Sequence, residues 1–455
     1  MLIGGFSSPR KQLLLEIDLR KEQGCRMTPA AEQALAAALA SQPSDEALFN
    51  AAYAELDKLP KDPAFSWVEP NELDEIRQVR PKNAPPVPPM TLSDERLLDC
   101  LHGAWIGRSV GCALGKPVEG MGMKGKRFRD IRTYLEERGD WPLTDYFSNR
   151  DVGGTLKLEC PLSQRENIRF METDDDIRYP LLAMLILERF GKNFTSENVA
   201  SLWDEVLPMR YVCSAECQAL LNYNLIIPPL QEWSWRPFDK EFIRSWNNPY
   251  REWIGAQIRA DFFGYVSPGN PEQAADFAWR DASWTHEKNG IYGEMFIAAI
   301  LAVAFQEKDP VALIESGLAR IPENCRLAAG IRETLRRVKP GMEVEEFMAW
   351  IEEKFPEMNA VHTINNAMVC AAALIAGEMN PDRCVCWAVS CGLDTDCNGA
   401  TVGSIAGLAT GAEKFGGTLA KRLNGTIRAN FSEFREVSMA DLAERTLKVC
   451  HMVND

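Results

Sequence analysis

The sequence predicts an all-α protein with a large buried core, and three observations support this. The chain has 455 residues, of which 46% are hydrophobic and 25% are charged, a composition typical of globular proteins. Beyond residue 91, one segment after another carries apolar residues at spacings of three and four, whereas alternating strand-like stretches are few and short. Several of these segments are apolar nearly all round and rich in Ala and Gly, which allows helices to pack closely in a buried bundle.

Residues 1–80 predict a small helical extension that is separate from this bundle. TPAAEQALAAALAS (residues 28–41) opens with a threonine N-cap and a proline at the first helical position, and SDEALFNAAYAELDK (residues 44–58) begins with a serine followed by acids. The Pro-dense residues 81–91 then predict a semi-rigid linker, and residues 92–455 the main domain. The extension could be a lid, an oligomer contact or a substrate-selecting module, and its sequence favours none of these.

Charge and cysteine usage narrow the class of protein. Asp and Glu number 65 and Lys and Arg 50, so the formal net charge is −15, which argues against nucleic acid or an anionic membrane surface as a partner. Several of the 13 cysteines lie in apolar stretches, which indicates reduced thiols and a cytoplasmic protein. No secretory signal is evident, and the longest apolar run, residues 296–305, is shorter than the ~20 residues of a membrane span.

Two acidic clusters stand directly before highly apolar helical segments. They are ETDDD (residues 172–176) and DTDCN (residues 394–398). Residues i and i+2 of an α-helix point about 200° apart, so Asp394 and Asp396 converge only if their segment is extended or a turn. Both clusters therefore predict turns at which helices begin. N-capping alone explains one or two acids at each turn.

Taken together, the two clusters predict a metal site. The helices that follow are too apolar to lie on the surface, so up to five carboxylates enter a core region. Unpaired carboxylates in a core are costly or become protonated, and cations would remove that cost. Oxygen ligands from Asp and Thr suit Mg²⁺, Mn²⁺ or Ca²⁺ better than Zn²⁺, and this number of ligands can hold two ions.

Three motifs resemble, in the same order, the signatures of the ADP-ribosylglycohydrolase superfamily. They are GAWIGRSVGCALGKPVEGM (residues 103–121), TDDD (residues 173–176) and GLDTDCNGATVGSIAG (residues 392–407). Residues 248–296 and 361–377 look like further blocks of that family. The resemblance begins near residue 92, so the N-terminal extension lies outside it.

The resemblance implies an orthogonal bundle of helices that holds a binuclear Mg²⁺ or Mn²⁺ centre at the two turns. Such a centre hydrolyses the N- or O-glycosidic bond at the ribose of an ADP-ribosylated protein or a small ADP-ribose conjugate. The metal ligands that match position by position are Thr173, Asp174, Asp175, Asp394 and Asp396. Glu119, in GKPVE, matches the glutamate on the loop that closes over the site. The residues expected to contact the substrate are Gly120, Met121, His286, Tyr292, Gly293, His362 and Asn365.

The catalytic roles are expected to fall to Glu119, Asp175 and Asp396. Asp175 or Asp396 would assist the attacking water, and Glu119 would act as acid and base or position the sugar. Cys397 departs from the family pattern, in which a hydroxyl often completes the metal shell. A thiol is a poor ligand for Mg²⁺, so either one ion takes water instead or the site prefers Mn²⁺ or another borderline metal. Cys112 likewise replaces the acid of the family's GDALG motif.

Two other functions stay open. The same motifs could serve a hydrolase of a small-molecule riboside or another glycoside, because metal ligands say little about the aglycone. A non-catalytic structural or binding homologue, like the lens crystallins of this superfamily, would keep the fold without the reaction, although the intact acids argue against it. The aromatic segment WSWRPFD (residues 233–239) is expected to belong to the core.

Overall fold

The structure, a computed structural model, describes residues 5–87, 89–225, 238–415 and 417–454. The regular secondary structure of these residues is almost entirely helix. The all-α class predicted from the sequence is confirmed. Most of the aromatic segment 233–239 lies outside the described residues. No described helix is both long and apolar enough to cross a membrane, and all 13 cysteines are free thiols.

Four helices precede the Pro-dense segment: α1 (Pro9–Glu22), α2 (Pro29–Ala40), α3 (Glu46–Leu56) and α4 (Leu73–Gln78). The helices of the first half of the main body are α5 (Asp94–Gly115), α6 (Glu119–Met123), α7 (Phe128–Arg138), α8 (Asp175–Phe190), α9 (Ser196–Val206), α10 (Ser214–Leu225), α11 (Lys240–Ser245), α12 (Asp261–Tyr265) and α13 (Pro271–Ala282).

The helices of the second half are α14 (Asn289–Ala304), α15 (Pro310–Leu318), α16 (Arg326–Arg337), α17 (Val344–Lys354), α18 (Thr363–Ala376), α19 (Pro381–Ser390), α20 (Thr395–Thr410), α21 (Thr418–Arg422) and α22 (Met439–Asn454). Strands β1 (Thr426–Ile427) and β2 (Val437–Ser438) pair antiparallel, with Thr426 opposite Ser438.

The N-terminal extension contains both helices that the sequence predicts and two more. Thr28 caps α2 as expected, since its hydroxyl accepts from the Ala31 N–H at 3.2 Å. The second predicted helix begins later than expected, because the Asp45 carboxylate, rather than a serine, accepts from the Ala47 and Leu48 N–H groups. Helices α1, α2 and α3 form a small apolar cluster apart from the main core. Its buried members are Leu13, Leu35, Ala38, Phe49, Ala52 and Leu56.

Helices α5 and α20 contact each other backbone to backbone through glycines spaced four residues apart. A Cβ added to Gly107 would lie 1.9 Å from the Gly403 carbonyl oxygen, and one added to Gly111 would lie 1.8 Å from that of Gly399. Only glycine permits this approach. The contact runs to the C-terminal end of α5 and the N-terminal end of α20, where the second acidic cluster lies.

Candidate metal centre

Both acidic clusters lie at helix starts. Asp174 is the N-cap of α8, with extended backbone angles (φ −156°, ψ 157°), and its Oδ1 accepts from the Asp176 N–H at 3.0 Å. Asp394 occupies the same position before α20 but makes no capping hydrogen bond. Its Oδ1, and that of Asp396, are buried and meet no hydrogen-bond donor among the described residues. Capping therefore explains part of the first cluster and none of the second.

The turn before α20 is fastened to the end of α5. The Thr395 hydroxyl donates to the Gly115 carbonyl at 2.8 Å, and the Leu393 N–H donates to the Gly122 carbonyl at 3.1 Å. Because α6 starts just after α5, this fastening brings Glu119 beside the second cluster. One carboxylate oxygen each from Glu119, Asp394 and Asp396 lie within 4.8 Å of one another, a spacing that could hold a metal ion.

The first cluster meets the second through Asp176. Ligand atoms of Asp176, Asp396 and Cys397 also lie within 4.8 Å of one another, as do those of Cys112, Asp174 and Asp176. Asp176 is held in place by the buried Arg108, whose Nη2 lies 3.1 Å from Asp176 Oδ1. Two helix starts far apart in sequence thus contribute to one group of acids.

Lysine is the counter-charge nearest to Asp174. Lys116 Nζ lies 2.6 Å from Asp174 Oδ2 and donates to the Thr173 carbonyl at 2.6 Å. Burial would raise the pKa of Asp174, but the charge and hydrogen bond of Lys116 together with the charge of Arg178 outweigh it and lower that pKa to about 2. Asp174 is therefore ionised at neutral pH without any added cation.

The other acids have raised pKa values. Burial, followed by the charge of Asp174, raises the pKa of Asp175 to about 7 and that of Asp396 to about 6. Burial and the charge of Asp396 raise the pKa of Asp394 well above its usual range. The charge of Asp396 and then burial raise the pKa of Glu119 to about 10. These carboxyls repel one another, so a cation among them would be strongly bound.

The donor set fits hard divalent cations. Carboxylate oxygens predominate, and three of them, one each on Asp176, Asp394 and Asp396, are buried without a donor among the described residues. This is the ligand chemistry that Mg²⁺ and Mn²⁺ prefer. The acids whose oxygens are close enough to share an ion are Asp174, Asp176, Asp394, Asp396 and Glu119, and Asp175 lines the cavity beside them. Cys397 and Cys112 add thiols, which are softer ligands, and burial raises the pKa of both well above the usual value.

A cavity of about 520 Å³ opens above these acids. Six of the residues singled out in the sequence line it: Glu119, Asp174, Asp175, Asp394, Asp396 and Cys397. Glu119 and Asp175 are half-buried, and the other four are buried. The structure therefore brings the predicted catalytic residues and most of the predicted metal ligands to one wall of one cavity.

Other predicted site residues do not line this cavity in the part of the chain that the structure describes. They are Thr173, Gly120, Met121, His286, Tyr292, Gly293, His362 and Asn365. The Thr173 hydroxyl donates to the Ala429 carbonyl at 2.6 Å and accepts from Arg178. A Cβ added to Gly120 would lie 2.7 Å from Glu159 Oε1, and Met121 is in the core. The roles of these three residues stay predictions.

The five residues of the later family blocks are all buried within the protein. His286 is fully buried, with Nδ1 2.7 Å from the Thr285 hydroxyl, and burial lowers its pKa well below the usual value. The Tyr292 hydroxyl donates to the Pro70 carbonyl, and a Cβ on Gly293 would collide with Thr363.

Two of these five residues act at the start of α18. His362 caps that helix, with Nδ1 accepting from the Ile364 N–H at 3.1 Å. The Asn365 amide donates to the Asn359 carbonyl at 2.9 Å. Asn359 itself lines the cavity, so Asn365 acts on the wall through a neighbour.

Sequence reasoning missed two groups of cavity residues. Glu216 and Tyr179 line the cavity beside the acids, and burial raises the pKa of Glu216 to about 7 although Arg259 Nη1 lies 3.3 Å from it. Helix α1 and the residues before it form another part of the wall. Glu216 stood in the sequence between two cysteines, but nothing in the local pattern of α1 indicated its position.

Comparisons with known proteins agree with this architecture. The family described as ADP-ribosylglycohydrolase matches residues 93–453 of the chain. A solved structure described as an "ADP-ribosylglycohydrolase-related protein complex" superposes with a TM-score of 0.50 and 18% sequence identity, over 79% of this chain and 99% of that one. A search of curated protein sequences found no match.

Proposed function

Because the chain belongs to the ADP-ribosylglycohydrolase family, which indicates a hydrolase of glycosidic bonds, we propose that it cleaves the N- or O-glycosidic bond at the ribose of an ADP-ribosyl group. The substrate would be an ADP-ribosylated protein or a small ADP-ribose conjugate, and the cofactor two divalent cations, Mg²⁺ or Mn²⁺. The observation that carries the proposal is the convergence of Glu119, Asp174, Asp175, Asp394 and Asp396 on one wall of one cavity.

The carboxyls of the cavity would have different roles in the reaction, namely metal binding and proton transfer. Divalent cations at Asp174, Asp175, Asp394 and Asp396 would supply Lewis-acid chemistry and make water more acidic. Asp175 and Asp396, whose pKa values without metal lie at about 7 and 6, are the candidates for the general base, and a bound cation would lower both values. Either would take a proton from the attacking water.

Glu119 would serve as the general acid. Its pKa is raised by the charge of Asp396 and by burial, so it holds its proton at neutral pH more readily than an ordinary glutamate; cations nearby would offset part of this shift. A protonated Glu119 at the edge of the cavity could donate that proton to the leaving group. It would regain one from the solvent after each turnover.

The test compares three substrate types on one enzyme: ADP-ribosyl-arginine, ADP-ribosyl-serine and plain N-ribosides. We expect Mn²⁺- or Mg²⁺-dependent release of ADP-ribose from at least one ADP-ribosyl substrate. The double variant Asp174→Ala with Asp396→Ala should abolish this release. Asp74→Ala, which changes an acid that is 88% exposed on α4, is the matched control and should keep wild-type activity.

Each other outcome points elsewhere. Cleavage of plain ribosides alone would favour a small-molecule glycosidase on the same fold. A purified protein that takes up no divalent metal and cleaves none of the substrates would favour the non-catalytic homologue. Wild-type activity in the Asp174→Ala, Asp396→Ala variant would show that the acids do not form the catalytic centre.

A further inference from the structure

Helix α1 presents three different faces to three surroundings. Leu13 packs into the small apolar cluster with α2 and α3. Gln12 and Glu16, one helical turn apart, are buried against the main body. Lys11 and Leu15, also one turn apart on a neighbouring face, line the cavity above the acids, together with Phe6 and Ser7 just before the helix. An element of the N-terminal extension is therefore part of the cavity wall.

Buried polar contacts fix α1 in this position. Arg251 donates to the Glu16 carboxylate from Nη1, which lies 2.9 Å from Oε2, and from Nη2, which lies 3.1 Å from Oε1. Gln12 Nε2 donates to Gln218 Oε1 at 2.8 Å, and Gln23, just after the helix, donates to Glu252 Oε1 at 3.0 Å. All of these side chains are buried. Buried hydrogen bonds, most of them to a charged partner, hold a helix in one position. The side chains of α1 that face the cavity are therefore a fixed part of the site.

The cavity lining carries both signs of charge. Most of its charged residues are carboxylates, whereas the cations among the described lining residues are Lys11 on α1 and Lys124 after α6. Phe6, which is 51% exposed, packs edge-on against Tyr250 with ring centroids 6.0 Å apart and leaves part of its surface open beside the cavity. A ligand with hydroxyl groups at the acids could place an anionic part at Lys11 and an aromatic part at Phe6.

We propose that α1 is a substrate-selecting wall, in which Lys11 binds the diphosphate and Phe6 contacts the base of a nucleoside diphosphate sugar. The identity of the ligand rests on the proposed function, since that function sets the ribose at the acids. Lysine binds phosphate as a mobile point charge, and an exposed aromatic ring stacks on any nucleobase. The family match begins at residue 93, so these two contacts are supplied by the chain's own extension.

The test measures binding rather than turnover. Titration calorimetry with Mn²⁺-loaded protein would compare ADP-ribose, ribose 5-phosphate and ribose on the wild type, on Lys11→Ala and on Phe6→Ala. We expect Lys11→Ala to weaken ADP-ribose binding about fivefold, as for a partly exposed hydrogen bond to a charged group, and to leave ribose unchanged. Phe6→Ala should weaken ADP-ribose about tenfold and leave ribose 5-phosphate unchanged.

Matched controls lie on the same helix. Lys21→Ala removes an exposed lysine whose nearest acid, Asp18, is 3.9 Å away, and Leu14→Ala removes an apolar side chain that is 45% exposed. Neither residue lines the cavity, so both variants should bind ADP-ribose as the wild type does. Equal melting temperatures across the set would show that α1 stays folded.

The outcomes separate this inference from the proposed function. If Lys11→Ala and Phe6→Ala bind ADP-ribose as tightly as the wild type, or if the wild type does not bind it, the inference is wrong whatever the enzyme hydrolyses. If both variants lose affinity but the wild type cleaves no ADP-ribosyl linkage, the binding role of Lys11 and Phe6 is supported and the proposed reaction is wrong.

Discussion

Two of the regions with buried carboxylates in this protein have pKa values that are shifted in opposite directions. One region, the α1 dock, consists of Glu16, Glu252 and Glu287 with Arg251 and Arg326. Arg251 lies 2.9 Å from Glu16 and 2.6 Å from Glu287, and Arg326 lies 2.7 Å from Glu252. Burial alone would raise these pKa values, yet the arginines lower all three.

The other region, the acid floor, consists of Glu119, Asp174, Asp175, Asp394 and Asp396. Apart from Asp174, which Lys116 holds ionised, these acids have raised pKa values. Burial alone therefore does not set the direction in which the pKa of a carboxyl is shifted. Arginines of the chain neutralise the dock, whereas a cation bound at the floor would supply the charge that most of its carboxyls lack.

The strongest test of this contrast removes negative charge from the floor. We expect Asp394→Asn with Asp396→Asn to lower kcat/KM at least about 1,000-fold, because metal-ion stabilisation of a transition state is worth several kcal/mol. The metal-free variant should unfold at no lower denaturant concentration than metal-free wild type, since the amides no longer repel. Metal analysis and urea unfolding measure both effects. A variant that keeps its metal and its activity would refute the assignment of the floor.

The reciprocal test removes positive charge from the dock. Arg251→Ala leaves the buried Glu287 without its guanidinium and Glu16 with that of Arg20 alone, whose Nε lies 2.7 Å from Glu16, and this costs about 3–5 kcal/mol of the free energy of unfolding. Arg189→Ala breaks an exposed pair with Glu205, whose side chains are 49% and 55% exposed, and should cost at most about 1 kcal/mol. Urea unfolding of both variants measures the difference. Equal losses would mean that the dock is no more than a surface contact.

The two regions should also respond oppositely to pH. In the metal-free folded protein the pKa values of Asp396 and Asp175 are raised to about 6 and 7. Protonation of these carboxyls therefore stabilises the folded state most at a pH below their pKa in the unfolded chain, and this stabilisation is lost as pH rises through their folded pKa values. The lowered pKa of Glu16 makes a contribution that is full above its unfolded pKa and is lost only in acid. Metal-free protein should therefore lose stability between pH 5.5 and pH 8.

Metal should reverse that loss. At a hundredfold excess over its Kd, Mn²⁺ should stabilise the protein by about 2.7 kcal/mol at pH 8 and by less at pH 5.5, where protons compete for the same oxygens. Thermal and urea unfolding with and without Mn²⁺ at both pH values measure this. The Asp394→Asn, Asp396→Asn variant is the control and should show no metal effect. An identical Mn²⁺ effect at both pH values would contradict proton competition at the floor.

The smallest effect is expected from the thiol at the floor. Cys397→Ser replaces a soft ligand by a hard one and should raise the affinity for Mg²⁺ relative to Mn²⁺, by no more than about tenfold. Calorimetric titration with each metal measures the ratio. Cys391→Ser, at the C-terminal cap of α19 and buried in the core, is the comparison and should leave the ratio unchanged. An unchanged ratio in Cys397→Ser would place the thiol outside the metal shell.

Sequence reasoning reached the two turns of the acid floor because each turn is a local pattern. Asp174 and Asp394 each precede an apolar helix, and capping preferences, helical geometry and the cost of burying charge together identify such turns. Glu119, by contrast, was expected from the family resemblance. The all-α class followed from composition, from apolar spacing and from the scarcity of strand-like stretches. The roles of the acids in catalysis stay predictions.

Sequence reasoning did not reach the α1 dock, because its pairings span most of the chain. Glu16 and Arg251 are 235 positions apart, and Gln12 and Gln218 are 206 apart. In sequence, Glu16 resembles any charged residue on a solvated helix face, since no local pattern marks a side chain whose partner is so distant. His286 shows the reverse case, in which a motif residue is buried within the protein and does not line the cavity.

The glycine contact between α5 and α20 has a consequence for ion size. Since the helices touch backbone to backbone, the distance between the backbones that carry Glu119 and the acids of α20 is fixed by carbonyl and Cα radii. A site of this kind cannot widen easily. It should discriminate by ionic radius, in favour of ions that bind oxygen at about 2.0–2.1 Å and against Ca²⁺, which needs about 2.3–2.6 Å.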